Sequence, residues 1–322
     1  DRRCPGPLPR RELLQIGSLA LGGLALPTVL AGRAATGHAS QDTSVILLYC
    51  HGGPSQLETY DLKPDAPSTY RSVFWPIATN VPGMDICELF PRQARIADRF
   101  SLVRSLHHTM SSHSDGGIEV LTGKTPAKPD PTSTSKSEHP DLGSVDSSIK
   151  GMHRHAIPPY VAIPGNLYMT RPLYVGRQHA AFEAGDPSRE SFRVPLLNVA
   201  AGRDGSRLND RQSLLGQLDR FRSDVDLHSD LLATEQFRDM AFQMLTSPET
   251  ATAFELNRET DALRDRYGRH AWGQGCLLAR RLAEAGTAVT TVYINTPRSG
   301  QEFTNWDCLL YTSDAADEVS PV

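Results

Sequence analysis

The reading of the fold turns on Ser44-Val45-Ile46-Leu47-Leu48-Tyr49-Cys50, followed by His51-Gly52-Gly53-Pro54-Ser55. Six apolar residues in a row leave no face for water. That is the pattern of a strand buried on both sides, as in a parallel sheet. The glycines and the proline end it, and Ser55 and Glu58 are spaced as a capping box that predicts a short helical turn. Pro159–Ile163 and Ala288–Ile294 are two more strand candidates, and Phe100–Ser105 reads as a further buried strand. Helical patterns lie between them. Phe90–Asp98, Asp141–Lys150 and Ala262–Tyr267 each predict one helix, and another opens near Gly116–Leu121. Ala271–Ala285 predicts the longest, stopped by Gly286, with Arg280 and Arg281 near its C-terminal end, where they suit the helix dipole. That helix runs straight into Ala288–Ile294. The alternation predicts an α/β fold with a mostly parallel central sheet flanked by helices.

Composition narrows the class. The 322 residues carry 39% hydrophobic and 22% charged side chains, ordinary for a globular chain and unlike a disordered or polytopic membrane protein. The net charge of −4 argues against nucleic acid as a partner. Five cysteines are too few for a disulfide scaffold, and Cys50, Cys87 and Cys276 read as mostly buried thiols.

The first 39 residues read as an address. Arg10 and Arg11 precede a weakly apolar, Gly-rich stretch from Ile16 to Leu30, then small residues from Ala31 to Ala39. The stretch is short for a bilayer span, which takes about 20 apolar residues. The pattern is that of a secretory signal of twin-arginine type, with an uncleaved anchor as the alternative. It implies the twin-arginine export machinery as a partner and a periplasmic, cell-surface or extracellular destination. Residues 40–307 form the expected domain. Within it, 124–140 is a polar, Pro-rich insertion of a length that is usually functional or disordered. Residues 209–286 form a helical segment, with Leu214, Leu215, Leu218, Phe221 and Val225 on one helical face and Leu231–Leu245 suggesting another helix.

In open α/β sheets, ligands bind beyond the carboxyl ends of the strands. After the first strand, Gly52, Gly53 and Ser55 suit an anion approaching the backbone, and His51 is either a ligand or a hydrogen-bonded structural histidine. The second candidate is His107-His108-Thr109-Met110-Ser111-Ser112-His113-Ser114-Asp115. It offers imidazoles and a carboxylate for metal ligation and hydroxyls for nucleophilic attack. The third is Asn305-Trp306-Asp307, where Asp307 is either a ligand or a solvated loop residue. His153 and His155 read as loop histidines. The glycine turn is not a dinucleotide fingerprint, and neither a P-loop nor a G-x-S-x-G elbow is present.

Several stretches carry a family resemblance. Gly52-Gly53-Pro54-Ser55-Gln56-Leu57-Glu58-Thr59-Tyr60-Asp61-Leu62-Lys63-Pro64 resembles the opening motif of an exported bacterial family known only as domain of unknown function 1501. Leu121-Thr122-Gly123, Pro140–Val145, Pro159–Pro164, Arg264–Gly268, Cys276–Gly286 and Trp306-Asp307 match it too, in order. The family looks like a branch of the alkaline phosphatase and sulfatase superfamily. That implies an alkaline phosphatase-like sheet and a metal-dependent site for phosphate or sulfate esters. The superfamily interval before Thr122-Gly123 lands on His113, where a nucleophile is expected, so Ser112 and Ser114 become the candidate hydroxyls. The superfamily's acidic ligand after the first strand is replaced by His51. A site poorer in carboxylates favours a zinc-like divalent ion over a magnesium-like one.

After Asp307 the chain departs from the family pattern. Residues 308–322 are expected to be non-native and the fold to be incomplete at its C-terminus; the opening Asp1 points the same way. Two functions follow. One is an exported metal-dependent hydrolase of small-molecule or glycan phosphate or sulfate esters. Its catalytic candidates are Ser112, His113 and Ser114, its metal ligands His51, His113 and Asp307, and its anion-binding residues Gly52, Gly53 and Ser55. The other is a non-catalytic exported binding protein on the same fold.

Overall fold

A computed structural model describes residues 43–51, 54–151, 156–192, 194, 242–244 and 247–294. In chain order the elements are β1 (Val45–Cys50), β2 (Pro76–Ala78), β3 (Asp85–Cys87), α1 (Pro91–Ala94), α2 (His113–Thr122) and α3 (Leu142–Lys150). There follow β4 (Tyr160–Ile163), β5 (Phe182–Glu183), α4 (Pro248–Phe254), α5 (Asp261–Tyr267), α6 (Ala271–Ala285) and β6 (Val289–Ile294).

The main sheet has the order β1-β6-β4-β5, and every pairing in it is parallel. β6 lies in the middle, with Val45 to Cys50 opposite Val289 to Ile294 and Tyr160 to Ile163 opposite Val289 to Val292. Side chains alternate between the faces. Val161, Ile163, Val292 and Ile294 meet Leu277, Leu278 and Leu282 of α6 and Phe254 of α4. Leu47, Tyr49 and Tyr293 meet Ile118 and Leu121 of α2, together with Leu167 and Met169. Helices therefore pack on both faces of the central strands, but β1, expected to be buried on both sides, lies at the end of the sheet order and leaves Val45, Ile46 and Leu48 40–50% exposed. Each fully buried leucine of α6 contributes about 1.5–3 kcal/mol of transfer free energy.

Small residues set how closely α6 approaches. A Cβ added at Gly273 would fall 2.0 Å from the Tyr267 carbonyl, so only glycine lets the end of α5 rest there. Gln274, fully buried, locks that corner. Its Nε2 donates to the Arg264 and Gly268 carbonyls at 3.0 and 2.8 Å, and its Oε1 accepts from Arg264 Nε at 2.9 Å. The Arg264–Gly268 motif is thus a joint between helices. Arg281 ties α6 to α4 by donating to the carbonyls of Ala253 and Thr252.

Several expectations change. Phe100–Ser105 is not a strand: it lies outside both sheets, with Val103 68% exposed and neighbouring Leu106 74% exposed. Only Phe100, Leu102 and Val103 are apolar there, and Arg104 reaches back to the Asp85 carbonyl at 3.2 Å. The Phe90–Asp98 helix is split into α1 and a 3-10 turn at Ala97–Arg99. The loop-like region 61–88 holds the antiparallel hairpin β2–β3. α2 starts at His113, three residues before the predicted Gly116. Ser55 precedes a 3-10 turn, Gln56–Glu58, but its side chain makes no cap hydrogen bond. The predicted helix over 214–225 lies outside the described residues, as does that over 231–245 except for 242–244, which are helical. Among the described residues, no helix is long and apolar enough to cross a membrane.

Candidate functional site

The carboxyl ends of β1 and β6 lie side by side. His51, directly after β1, donates its N–H to the Ile294 carbonyl at 3.1 Å, so the ladder carries it to the rim of the sheet. Tyr293 of β6 and Tyr168, in the loop after β4, stand edge-on to the His51 ring at centroid distances of 5.7 and 5.9 Å. The ring of His113, the first residue of α2, lies 5.5 Å from that of His51. Two histidines 62 positions apart in the chain thus meet at the end of the sheet and the start of a helix.

The first turn of α2 explains how His113 is held. Ser112 is the N-cap, and its Oγ accepts the Asp115 N–H at 3.3 Å. The glycine pair behind it allows close packing on two sides. A Cβ at Gly117 would lie 2.7 Å from the Tyr49 hydroxyl, and one at Gly116 would lie 2.9 Å from the His108 ring. Burial pushes the Tyr49 phenol up to about 12, with Tyr293 and Tyr168 adding to it. Tyr49 therefore stays neutral under the sheet rim.

Asp115, also in that turn, is 1% exposed. Its Oδ2 accepts the Asp130 N–H at 2.6 Å, while its Oδ1 is buried with no hydrogen-bond partner. A buried carboxylate oxygen left open is costly, so this is an unusual feature rather than a joint. The helix N-terminus offsets part of that cost. Burial, then the charges of Asp115 and Asp130, raise the pKa of Tyr168, which places both carboxylates near its phenol.

The polar insertion is ordered around this turn. The Asp130 carboxylate accepts N–H bonds from Thr132 and Thr134, both at 2.9 Å, and hydroxyl bonds from Thr132, Thr134 and Ser135. These bonds, led by those from Thr132, hold its pKa well below the usual carboxylate range. Ser133 Oγ accepts the His113 N–H at 3.2 Å. Farther along, the Ser137 N–H reaches the Met169 carbonyl at 2.7 Å, and Arg171 donates back to the Ser137 carbonyl. Residues 130–137 thus form a strap from the start of α2 to the loop after β4.

The named candidates separate. His51 and His113 come together. Ser112 has its oxygen engaged in the cap, and Ser114 is 0% exposed with an unpartnered Oγ. His107 Nδ1 lies against the Ser105 carbonyl, and the His108 ring rests on Gly116. Ser55 is half-buried beside its 3-10 turn. Gly52, Gly53, Asp307, His153 and His155 lie outside the described residues. Among the described residues, no group of three His, Cys, Asp or Glu is spaced to hold a metal ion. Sequence reasoning counted Asp115 without giving it a part, and it missed Asp130, Tyr168 and Tyr293. The Asp-x-Thr-x-Thr-Ser spacing at Asp130 was the available signal, since Asp side chains close turns onto the N–H groups that follow them.

The model of a family described as "Protein of unknown function (DUF1501)" matches residues 42–308. No curated protein and no solved structure matches the chain.

Proposed function

We propose that this chain, which belongs to the DUF1501 family, is an exported, metal-dependent hydrolase of phosphate or sulfate esters. The observation that carries the reading is the meeting of His51 and His113, 5.5 Å apart, at the carboxyl end of a parallel sheet and the N-terminus of α2. That N-terminus lends its partial positive charge to an ester oxyanion, although the His113 and Asp115 N–H groups are already taken by Ser133 and Ser112. An imidazole there takes a proton from an attacking water or returns one to the leaving oxygen. Water is the better nucleophile, because Ser112 caps the helix and Ser114 is fully buried.

The zinc-like cation fits only in part. His51 and His113 supply two donors, and the described residues alone do not complete a centre. Asp307 would be a third. No step is derived through the metal; bound there, it would acidify water or polarise the ester. The arginine pair before the Gly-rich stretch supports export to the periplasm or cell surface by the twin-arginine machinery.

The test uses a full-length member of the family. We expect bound divalent metal and turnover of aryl phosphates or aryl sulfates, with the His51→Ala and His113→Ala counterparts losing both. Absence of metal together with absence of turnover would overturn the reading. The engaged Ser112 and buried Ser114 favour a second reading, a non-catalytic exported binding protein, which predicts ligand binding in that assay without turnover.

A further inference from the structure

We infer that Asp130 is a positioning residue of this site: it knots the 130–137 strap so that the strap fixes the first turn of α2. The inference rests on the α2 N-terminus being the reaction centre, as proposed above.

The strap touches that turn twice. The Asp130 N–H takes one oxygen of Asp115, and Ser133 Oγ takes the N–H of His113. Both contacts need the strap backbone in one conformation. Ser133 sits at φ +57, a left-handed geometry that a non-glycine residue keeps only when its surroundings impose it. The surroundings here are the five bonds onto the Asp130 carboxylate, two from backbone N–H groups and three from hydroxyls. The products of this knot are the orientation of Asp115, whose other oxygen stays open in the interior, and the seating of His113 opposite His51.

Two variants grade the effect. The Asp130 Oδ1 receives the Thr132 bonds, and Oδ2 receives those of Thr134 and Ser135. Asp130→Asn keeps one acceptor oxygen and so half the knot; Asp130→Ala keeps none. In the full chain, amide hydrogen exchange should show residues 113–115 losing protection in Asp130→Ala and losing less in Asp130→Asn. Val161 and Ile163 of β4 should stay unchanged in both. In a catalytically active family member, kcat for the aryl ester should fall about 10- to 100-fold in the Ala variant, with partial rescue in the Asn variant and little change in KM, as for groups that orient a reacting residue.

Unchanged protection at 113–115 in Asp130→Ala would overturn the inference, as would lost protection with unchanged kcat. If the wild-type protein turns over no ester but protection is lost as described, the positioning of the turn stands and the hydrolase reading falls.

Discussion

Two helices on the same face of the sheet open with the same residue types in opposite order. α3 begins Asp141-Leu142-Gly143-Ser144, and α2 begins Ser112-His113-Ser114-Asp115. At α3 every oxygen of the cap is taken. Asp141 Oδ1 accepts the Ser144 N–H at 3.0 Å, Oδ2 accepts the Ser144 hydroxyl at 3.2 Å, and the Tyr160 hydroxyl bonds to the same carboxylate. At α2 the cap hydroxyl is used, yet Asp115 Oδ1 and Ser114 Oγ are left open in the interior. The lesson is that one capping chemistry serves two ends. Where the polar inventory closes, the turn is a joint. Where it stays open beside two histidines, the turn is a candidate site.

The largest expected effect comes from removing the two caps. Asp141→Ala loses an N-cap, about 0.5–2 kcal/mol. It also removes one of the two hydrogen bonds of the buried Tyr160 hydroxyl, which keeps Thr291, about 0.5–1.5 kcal/mol more. Ser112→Ala loses only a cap, about 1 kcal/mol. Denaturant unfolding of the two variants should therefore separate them by roughly 1 kcal/mol, with Asp141→Ala the less stable. Equal losses would mean that α2 is as structural as α3.

The glycines sharpen the contrast at a smaller scale. A Cβ at Gly143 would lie 2.4 Å from the ring of Tyr160, which is itself buried and cannot retreat. Gly143→Ala should cost about 1–3 kcal/mol by overpacking. At Gly116 the obstacle is the exposed ring of His108, the far end of a free side chain. Gly116→Ala should change the unfolding midpoint little, because that ring can swing away.

The same contrast explains what could be read from sequence. β1, β4, β6 and α6 were legible because β-branched and apolar residues cluster in the strands and recur at helical spacing in α6, and Gly286 and Gly268 mark helix ends by their positive φ. The exposure of Val45, Ile46 and Leu48 in β1 was not legible, since the run does not say which strand ends the sheet order. The Pro140–Val145 motif was visible as a pattern, but its work could not be read, since Asp141 closes onto Tyr160, nineteen positions away. Phe100–Ser105 misled because an apolar run says nothing about whether a neighbouring strand exists to pair with it. In the site, His51 and His113 were visible as residue types at element ends. Asp130 and Tyr168 were not, because their parts depend on loops whose paths no periodicity encodes.

The smallest effect is electrostatic, and the two regions should show it with opposite sign. Burial raises the pKa of Asp141 above the ordinary 3.8, against the lowering bonds from Ser144 and Tyr160. Its folded form therefore holds a proton that the unfolded chain has already released. The stability it contributes is fully present below 3.8 and is lost as pH rises through the raised folded value. For Asp130 the hydrogen bonds lower the pKa, so its contribution is present above 3.8 and lost as pH falls toward the folded value. Unfolding midpoints taken from pH 7 downward should show wild type gaining on Asp141→Asn before the ordinary carboxylate value is reached. Wild type should lose ground to Asp130→Asn only below it. If both differences drift the same way, Asp141 is held as an ion. The α3 cap would then be as electrostatically loaded as the α2 turn, and the distinction between a closed joint and an open site would rest on Asp115 Oδ1 and Ser114 Oγ alone.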